Sequence, residues 1–495
     1  MAPAANDPRA RSRNRSCGKA TKRLVEALGL ARVVTEGPEK YRASFDSSKV
    51  SFPYDALVKA RSERDVARTL ALANEHGVPV TPRGSGTSLT GSASPFAGGW
   101  ALDLTRMKRI AIRSEKMMAV VQAGAVVADI QAAAAAEGLF YPPDPSSRKH
   151  CAIGGNIACN AGGLSGVKYG VTRDYVLGLE GYLPNGKRSS WGGEYRKFAT
   201  GYNIRDLWIG SEGTLGVVTK ATLRLLPKPE GRWTLVAAFA DDEQALGAAQ
   251  ELLEQRLLPA ILEYLDANTA RCAEEHAGAR LFARAAGKPL LLVEFDDHPK
   301  LLPAIRRRVM AWARARALAV RQARDEAEAE ALWEVRRKCS GAMFALGDAK
   351  GDEDIVVPQE SQRRFARFLV GLQRKWRLPM PTFGHAGDGN FHVNVMYRRD
   401  SDEESRRAKE AVAELMGKVV ALGGTISGEH GIGLAKSPFL SVGRGPAEIE
   451  AMRAIKRALD PKGILNPGKI FEPFDLWSRP PEEVVLPWDK KRPGR

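Results

Sequence analysis

Cysteine is sparse in this 495-residue chain, which carries only Cys17, Cys151, Cys159, Cys272 and Cys339. None forms a C-x-x-C pair, which excludes a cysteine-ligated zinc or iron–sulfur centre of ordinary spacing. An odd, sparse count suits a reducing compartment, so a cytoplasmic protein is expected. Long apolar runs are missing too. No stretch reaches the roughly 18 apolar residues of a membrane-spanning helix. The first twenty residues are rich in Arg, Ala and Ser and lack the apolar centre of a secretory signal. They read as a disordered basic tail over 1–20. No internal repeat is evident. Acidic residues are in deficit, 58 against 75 Lys and Arg, for a net charge of +17. Such a field attracts anions in general. The basic residues are scattered, with no aromatic-interleaved patch, so nucleic acid is not expected as a partner. Runs such as Arg306–Arg308 read as solvated helix faces. The charge leaves peripheral contact with an inner membrane open, and nothing excludes a homodimer.

Histidine is scarce as well, with seven in the chain, yet two fall in one segment, Pro381-Thr-Phe-Gly-His-Ala-Gly-Asp-Gly-Asn-Phe-His-Val-Asn-Val395. Asp388-Gly389 is a favoured two-residue hairpin turn. Counting back from it sets His385 opposite His392, with Cβ atoms roughly 5 Å apart on one face. One metal ion fits both imidazoles. Asn394 shares that face by strand alternation. A further loop, Gly423-Gly-Thr-Ile-Ser-Gly-Glu-His-Gly-Ile-Gly433, offers Glu429 and His430.

Glycine is abundant, with 48 residues, and it clusters. Gly84-Ser85-Gly86-Thr87-Ser88-Leu-Thr-Gly91 can turn successive N–H groups toward a phosphate. It is not a Walker A loop, because no Lys-[Ser/Thr] follows. It is not the Rossmann fingerprint, because a strand follows rather than a helix. A second loop, Ile153-Gly-Gly-Asn-Ile-Ala-Cys-Asn-Ala-Gly-Gly163, adds the amides of Asn156 and Asn160. A third, Gly210-Ser-Glu-Gly-Thr-Leu-Gly216, runs into the strand at Val217. Glycine is required where a Cβ would collide with a ligand. The three loops together imply one long phosphate-bearing ligand lying close to backbone.

The rest of the chain supplies a frame. Ser62 and Asp65 form a capping box for a helix that stops at Gly77. Strands are expected at 78–80, 100–104, 175–183 and 217–226, with a hairpin turn at Pro184-Asn-Gly186. Pro227-Lys-Pro229 marks a boundary. Beyond it, strands near 234–239, 260–264 and 290–295 alternate with helices near 242–256 and 299–317. Longer helices over 326–346 and 359–376 lead to the histidine hairpin. This pattern is an α+β domain with an antiparallel sheet and helices on one face. The expected division is a tail over 1–20, a first domain over 21–228, a second over 229–440, a helical segment over 441–473 and a surface tail over 474–495.

The order of these motifs is specific. Arg83-Gly-Ser-Gly-Thr-Ser-Leu-Thr-Gly91, Gly154-Gly-Asn156, Gly210-Ser-Glu-Gly-Thr-Leu-Gly216, Gly384-His-Ala-Gly-Asp-Gly-Asn-Phe-His392 and Gly428-Glu-His-Gly431 succeed one another as in one group. The chain resembles the FAD-linked oxidases of the vanillyl-alcohol-oxidase superfamily, in the D-2-hydroxyacid dehydrogenase branch. The resemblance implies a two-lobed FAD-binding domain, an α+β cap domain and a C-terminal segment returning to the FAD domain. It implies that Arg83, Gly84, Ser85, Gly86, Thr87, Ser88 and Gly91 hold the pyrophosphate. Gly154, Gly155, Asn156, Asn160 and Gly163 run beside the flavin. Glu212, Gly213, Gly216 and Val218 lie near the adenine half, and Asp144, Gly170, Asn466 and Lys469 complete the surroundings. Related enzymes that fix the flavin covalently often carry a histidine in the pyrophosphate loop. None stands there, so FAD is expected to be non-covalent.

The resemblance further implies that His385, His392 and Glu429 ligate a metal. Two imidazoles and a carboxylate suit Zn²⁺, then Mn²⁺ or Fe²⁺. His430 becomes the general base, with Arg336 and Asn394 binding the substrate carboxylate. The implied reaction takes a D-2-hydroxyacid such as D-lactate or glycolate to its 2-oxoacid, with hydride passing to flavin N5. No iron–sulfur extension is present, so electrons leave for a quinone, a cytochrome, an electron-transfer protein or an iron–sulfur subunit. Relatives with a dicarboxylate substrate carry a lysine where this chain reads Lys350-Gly-Asp352-Glu-Asp354, and the acid favours a monocarboxylate. The alternatives are a D-2-hydroxyglutarate dehydrogenase, a non-redox flavoprotein of the same fold such as an ether-lipid synthase, and a metal hydrolase that leaves the glycine loops without a purpose.

Overall fold

A computed structural model describes residues 8–479 and 481–489, with side chains from Cys17 onward in the first helix. The first half forms two lobes around two sheets. The first sheet has the order Val33–Val34, Ala56–Lys59, Trp100–Asp103, Val80–Arg83, and its last three strands run parallel. Parallel neighbours need a crossover, and the helix Glu63–His76 supplies it. That helix has its capping box: Ser62 Oγ accepts from the Asp65 N–H at 3.3 Å, and Asp65 Oδ2 accepts from the Ser62 N–H at 3.2 Å. Gly77 ends it at φ 65. A cap of this kind contributes about 1 kcal/mol. The inner face of the helix puts Val66, Leu70 and Ala73 against Val58, Val80 and Trp100. Full burial of each larger side chain contributes roughly 1.5–3 kcal/mol.

The second lobe is an antiparallel sheet ordered Ile110–Arg113, Met118–Gln122, Val217–Arg224, Val176–Tyr182, Arg188–Gly192. Tyr182 pairs with Arg188 across the expected Asn185-Gly186 turn. Within the segment 1–20, expected as a disordered tail, residues 8–20 are instead part of a helix, Pro8–Leu28. Cys17, Ala20, Leu24 and Leu28 recur at helical spacing and are buried in the first lobe. Residues 1–7 lie outside the described residues.

The second half is built on a seven-stranded antiparallel sheet. Its order is Ala319–Gln322, Gly231–Ala238, Leu290–Asp297, Ile261–Leu265, Thr382–His385, Asn390–Tyr397, Ala349–Val356. Helices were expected on one face, and the structure has them on both. One face is apolar throughout and is covered by Asp242–Glu254, Leu302–Arg316, Gln362–Trp376 and Asp402–Ala421. The other is apolar only toward the Ala319–Gln322 edge, where Ala267–Ala277 and Glu326–Ala342 cover it. Strand alternation explains the division, because odd and even residues of one strand serve opposite faces. Toward the Ala349–Val356 edge the second face carries Glu263, His385, His392, Asn394, Asp352 and Asp354, aligned by pairing. This polar strip meets the cofactor-type loops of the first half.

The helix Pro446–Leu459 sends Ile455 and Leu459 onto the second lobe, and Leu465 then bridges Val80 beside the first glycine loop. The segment after 473, expected as a surface tail, is packed in its described part. Phe474 meets Phe52 and Phe96 at 5.9 and 4.9 Å, and Trp477 stacks on Tyr397 at 5.5 Å. Residue 480 and residues 490–495 lie outside the described residues. Among the described residues no helix is long and apolar enough to cross a membrane.

Candidate active site

A cavity of about 1420 Å³ runs between the two halves. It exceeds the roughly 300–1,000 Å³ of an ordinary small-ligand site. Its floor is the first glycine loop, Gly84, Ser85, Gly86, Thr87 and Ser88, with Gly154, Gly155, Asn156, Glu212, Gly213, Gly216 and Val218. One end is closed by Lys350, Asp352, Glu429 and His430. Loops separated by more than three hundred residues therefore line one space. Asn156 lines it, is 4% exposed, and beyond a contact with the Cys151 thiol its Nδ2 has no acceptor. An unmatched buried amide costs about 1–3 kcal/mol, so a ligand acceptor at this position suits the site. A long phosphate-bearing cofactor fits the space and its backbone lining.

Of the remaining residues expected around the cofactor, Arg83 reaches the cavity and the others lie behind its surface. The Arg83 guanidinium lines the cavity but donates to the carbonyls of Ala43, Phe45 and Ala93 at 2.7–3.3 Å. It braces the loop from behind. Gly91 (φ 75) and Gly163 (φ 144) are turn residues. Asp144 accepts both of its short contacts from Arg148 at 2.7 and 2.9 Å. Asn160 Oδ1 accepts from the Arg173 N–H, and Gly170 packs against Asp174. Asn466 donates to the carbonyls of Ser92 and Glu212 at 2.9 and 2.8 Å. Lys469 donates to the Ser94 carbonyl at 2.7 Å, and burial pulls its pKa down to about 7. The second loop also differs from expectation: Ile153–Cys159 is a short helix. Its small residues let the helix press against Ala123, which a Gly154 Cβ would meet at 2.8 Å.

The histidine hairpin is present with a shifted register. Gly384 pairs with Phe391 and His385 with Asn390, so four residues, 386–389, form the turn. The expected two-residue turn at Asp388-Gly389 is therefore corrected. The shift is two residues, an even number, so His385 and His392 keep a common face. Their rings lie 5.5 Å apart. Glu429 Oε1 stands 3.8 Å from His385 Nε2 and 3.6 Å from His392 Nε2. The ligand atoms of the three all lie within 4.8 Å of one another. His385 Nδ1 is bonded to Glu263, while its buried Nε2 has no close hydrogen bond and faces Glu429 across 3.8 Å. That is the arrangement of a metal-ligating histidine, whose second nitrogen is oriented by a carboxylate. Burial pushes the His392 pKa down to about 4, which keeps a lone pair available. Burial opposes ionisation of Glu429, but the three histidines around it hold its pKa below the ordinary value. The donor set fits Zn²⁺, Mn²⁺ or Fe²⁺.

His430 stacks on His392 at 5.4 Å, with Nδ1 3.9 Å from Asp354 Oδ2 and Nε2 3.8 Å from Glu429 Oε1. Arg336 is 7% exposed and does not line the main cavity. Its Nε donates to Glu263 Oε2 at 2.6 Å and its guanidinium lies 4.6 Å over Phe383. Glu263 thus joins Arg336 to His385. Burial raises its pKa, but Arg336 and the His385 hydrogen bond hold it at about 2. Asn394 is fully buried and accepts from Lys350 Nζ at 3.0 Å. The same ammonium lies 2.7 Å from Asp352 Oδ2.

Sequence reasoning missed Glu263, Asp354 and Lys436. Glu263 had a signal: it is an acid inside the apolar strand Ile261-Leu-Glu-Tyr-Leu265, and an acid there needs a partner. Lys436 Nζ donates to the carbonyls of Asp354 and Ile426 at 2.6 and 2.9 Å, contacts with no local sequence signature.

Both halves of the chain match known protein families. Residues 54–190 match the family model "FAD binding domain", and residues 228–470 match "FAD linked oxidases, C-terminal domain". The chain is 39% identical over 463 residues to glycolate oxidase subunit GlcD of Bacillus subtilis, covering 91% of this chain and 97% of the relative. It is 35% identical to a D-lactate dehydrogenase of Anaerostipes hadrus, covering 84% and 89%. Among solved structures, p-cresol methylhydroxylase with substrate bound aligns at TM-score 0.74 and 17% identity, covering 93% and 97%. Alkyldihydroxyacetonephosphate synthase aligns at 0.69 and 18%, covering 90% and 85%. The chain shares the fold of these solved structures, belongs to the FAD-linked oxidases and is an oxidoreductase.

Proposed function

We propose that this chain oxidises a D-2-hydroxyacid, D-lactate-like or glycolate, to the 2-oxoacid. The observation that carries the reading is the meeting of His385, His392, Glu429 and His430 at one end of the glycine-lined cavity. Relatives that span nearly the whole chain, a glycolate oxidase subunit and D-lactate dehydrogenases, support it. FAD bound in the cavity without a covalent bond would supply the hydride acceptor at N5. A divalent metal, zinc being preferred, would be held by His385, His392 and Glu429 and would supply a Lewis acid for the substrate's hydroxyl and carboxylate.

This chain's residues do the rest. Nε2 of His430 faces the ligand side, and it takes the hydroxyl proton as C2 gives up hydride. Arg336 and Asn394 stand behind the carboxylate position, Arg336 through Glu263 and Asn394 through Lys350. Formal charge sets the preference for substrate. Once Glu263 and Glu429 are set against Arg336 and a divalent ion, one net positive charge remains beside the hydroxyl. Lys350 adds nothing to it, because Asp352 neutralises it at 2.7 Å. Burial raises the Asp352 pKa, but Lys350 and the neighbouring histidines hold it at about 2. A monocarboxylate therefore matches the site better than a dicarboxylate. Electrons leave the reduced cofactor for a non-NAD acceptor: a quinone, a cytochrome, an electron-transfer protein or an iron–sulfur subunit.

The test is product formation with an artificial electron acceptor, comparing D-lactate, glycolate and D-2-hydroxyglutarate, with and without chelator pretreatment. The expected result is 2-oxoacid from a monocarboxylate, abolished by chelation and restored by Zn²⁺ or Mn²⁺. Turnover unaffected by metal removal would contradict the assigned ligands. No 2-oxoacid from any of the three would contradict the reaction.

A further inference from the structure

The loop that carries Glu429 and His430 is held mainly by its own backbone. Asp354, fully buried at the centre of the strand Ala349–Val356, receives four donors on one oxygen. Oδ2 accepts from Ser427 Oγ at 3.0 Å and from the N–H groups of Gly428, Glu429 and His430 at 3.0, 3.0 and 2.9 Å. Oδ1 accepts from Asn390 Nδ2 at 2.7 Å. Asn390 in turn packs so close to Gly428 that a Cβ there would clash with the amide. From the other side, Glu212 of the cofactor half accepts the N–H groups of Ile432 and Gly433 at 2.7 and 2.8 Å. One loop is thus gripped by two buried carboxylates, one from each half of the molecule.

We propose that Asp354 is a positioning residue: its carboxylate gathers the 428–430 N–H groups and so fixes where the Glu429 carboxylate and the His430 imidazole stand. The inference rests on the reaction proposed above and adds to it a residue that touches neither substrate nor cofactor. Charge alone is an incomplete account of Asp354. Lys436 already stands 3.7 Å from it, whereas three successive N–H groups converging on one oxygen specify a loop conformation. Neither a serine nor an asparagine at 354 reproduces this. An amide would turn either a neutral oxygen or its own N–H groups toward the donors. Misplacing reacting groups by about 1 Å costs on the order of 100-fold in rate.

The test uses the full-length holoprotein with Asp354→Asn, and Ser427→Ala as a milder variant that removes one donor of four. Two readouts are taken. The first is hydrogen exchange of the peptide spanning 427–433. The second is the anaerobic rate of flavin reduction by D-lactate or glycolate, resolved into kcat and KM. The expected result for Asp354→Asn is faster exchange in that peptide alone, unchanged FAD content, a fall of about 100-fold in kcat and little change in KM. Ser427→Ala should fall in the same direction by less. If Asp354→Asn does not fold, the serine variant carries the same prediction. Unchanged exchange would overturn the clamp. Faster exchange with an unchanged kcat would overturn the positioning role while leaving the proposed reaction intact. Wild-type flavin that no 2-hydroxyacid reduces would overturn the reaction, and the positioning role with it.

Discussion

At the scale of single residues, the site is a set of buried charges arranged by strand alternation. His430 is the group that takes a proton, so His430→Ala should lower the rate of flavin reduction by about 10²–10⁴. Its FAD content should match the wild type. Stopped-flow absorbance on the purified variant checks both. Asp352 tests substrate choice. Its carboxylate neutralises Lys350 at 2.7 Å beside Asn394. Asp352→Asn frees that ammonium for a second substrate carboxylate. The ratio of kcat/KM for D-2-hydroxyglutarate over D-lactate should rise by about tenfold, equivalent to about 1.4 kcal/mol. An unchanged ratio would remove the charge argument. Several of these residues were legible in sequence because they sit in short motifs, as His385, His392, Glu429 and His430 do. Glu263 and Asp354 were not, because their partners lie 73 to 122 and 36 to 76 positions away.

At the scale of elements, the hairpin shows where local rules stop. Turn chemistry favoured Asp388-Gly389, but the strands pair with a four-residue turn. The adjacent strands decide this, since His385 must pair with Glu263 and His392 with Asp354. The face survived because the slip is even, so the site was readable although the register was not. The Ile153–Cys159 helix was hidden by its glycines, which read as loop until tertiary packing against Ala123 is known. The loop Ser427–Gly433 carries a pH prediction through Glu212. Burial pushes the Glu212 pKa up to about 7, against the two N–H donors that lower it. The folded state then binds more protons than the unfolded chain between the ordinary carboxylate pKa and about 7. Stability from this group falls as pH rises through that window. Thermal melting of wild type and Glu212→Gln at pH 5 and pH 8 checks it. The variant's Tm relative to wild type should be higher at pH 8 than at pH 5. A difference that does not move with pH would contradict the assignment.

At the scale of the whole molecule, two halves with separate cores meet at one cavity. A division near Pro227 is the reading from composition and turn residues, which change there. The two termini were not readable. Basic and Pro-rich composition suggested tails, yet Cys17 and Ala20 are core residues and Trp477 stacks on Tyr397. Residues 476–477 and 481–485 also line the cavity. Removal of the chain after Phe474 should therefore loosen FAD, seen as flavin lost on gel filtration while the protein remains folded by circular dichroism. Flavin retained in full would show that this wall is dispensable.

The central claim is that the cavity holds a flavin reduced directly by a 2-hydroxyacid at the His385, His392, Glu429 and His430 end. The measurement that tests it is the anaerobic visible spectrum of the purified holoprotein before and after one equivalent of D-lactate or glycolate. The account predicts an oxidised flavin spectrum that bleaches with one of these acids, and bleaching that chelator pretreatment prevents. A flavin that stays oxidised with both acids, in metal-replete protein, would contradict it.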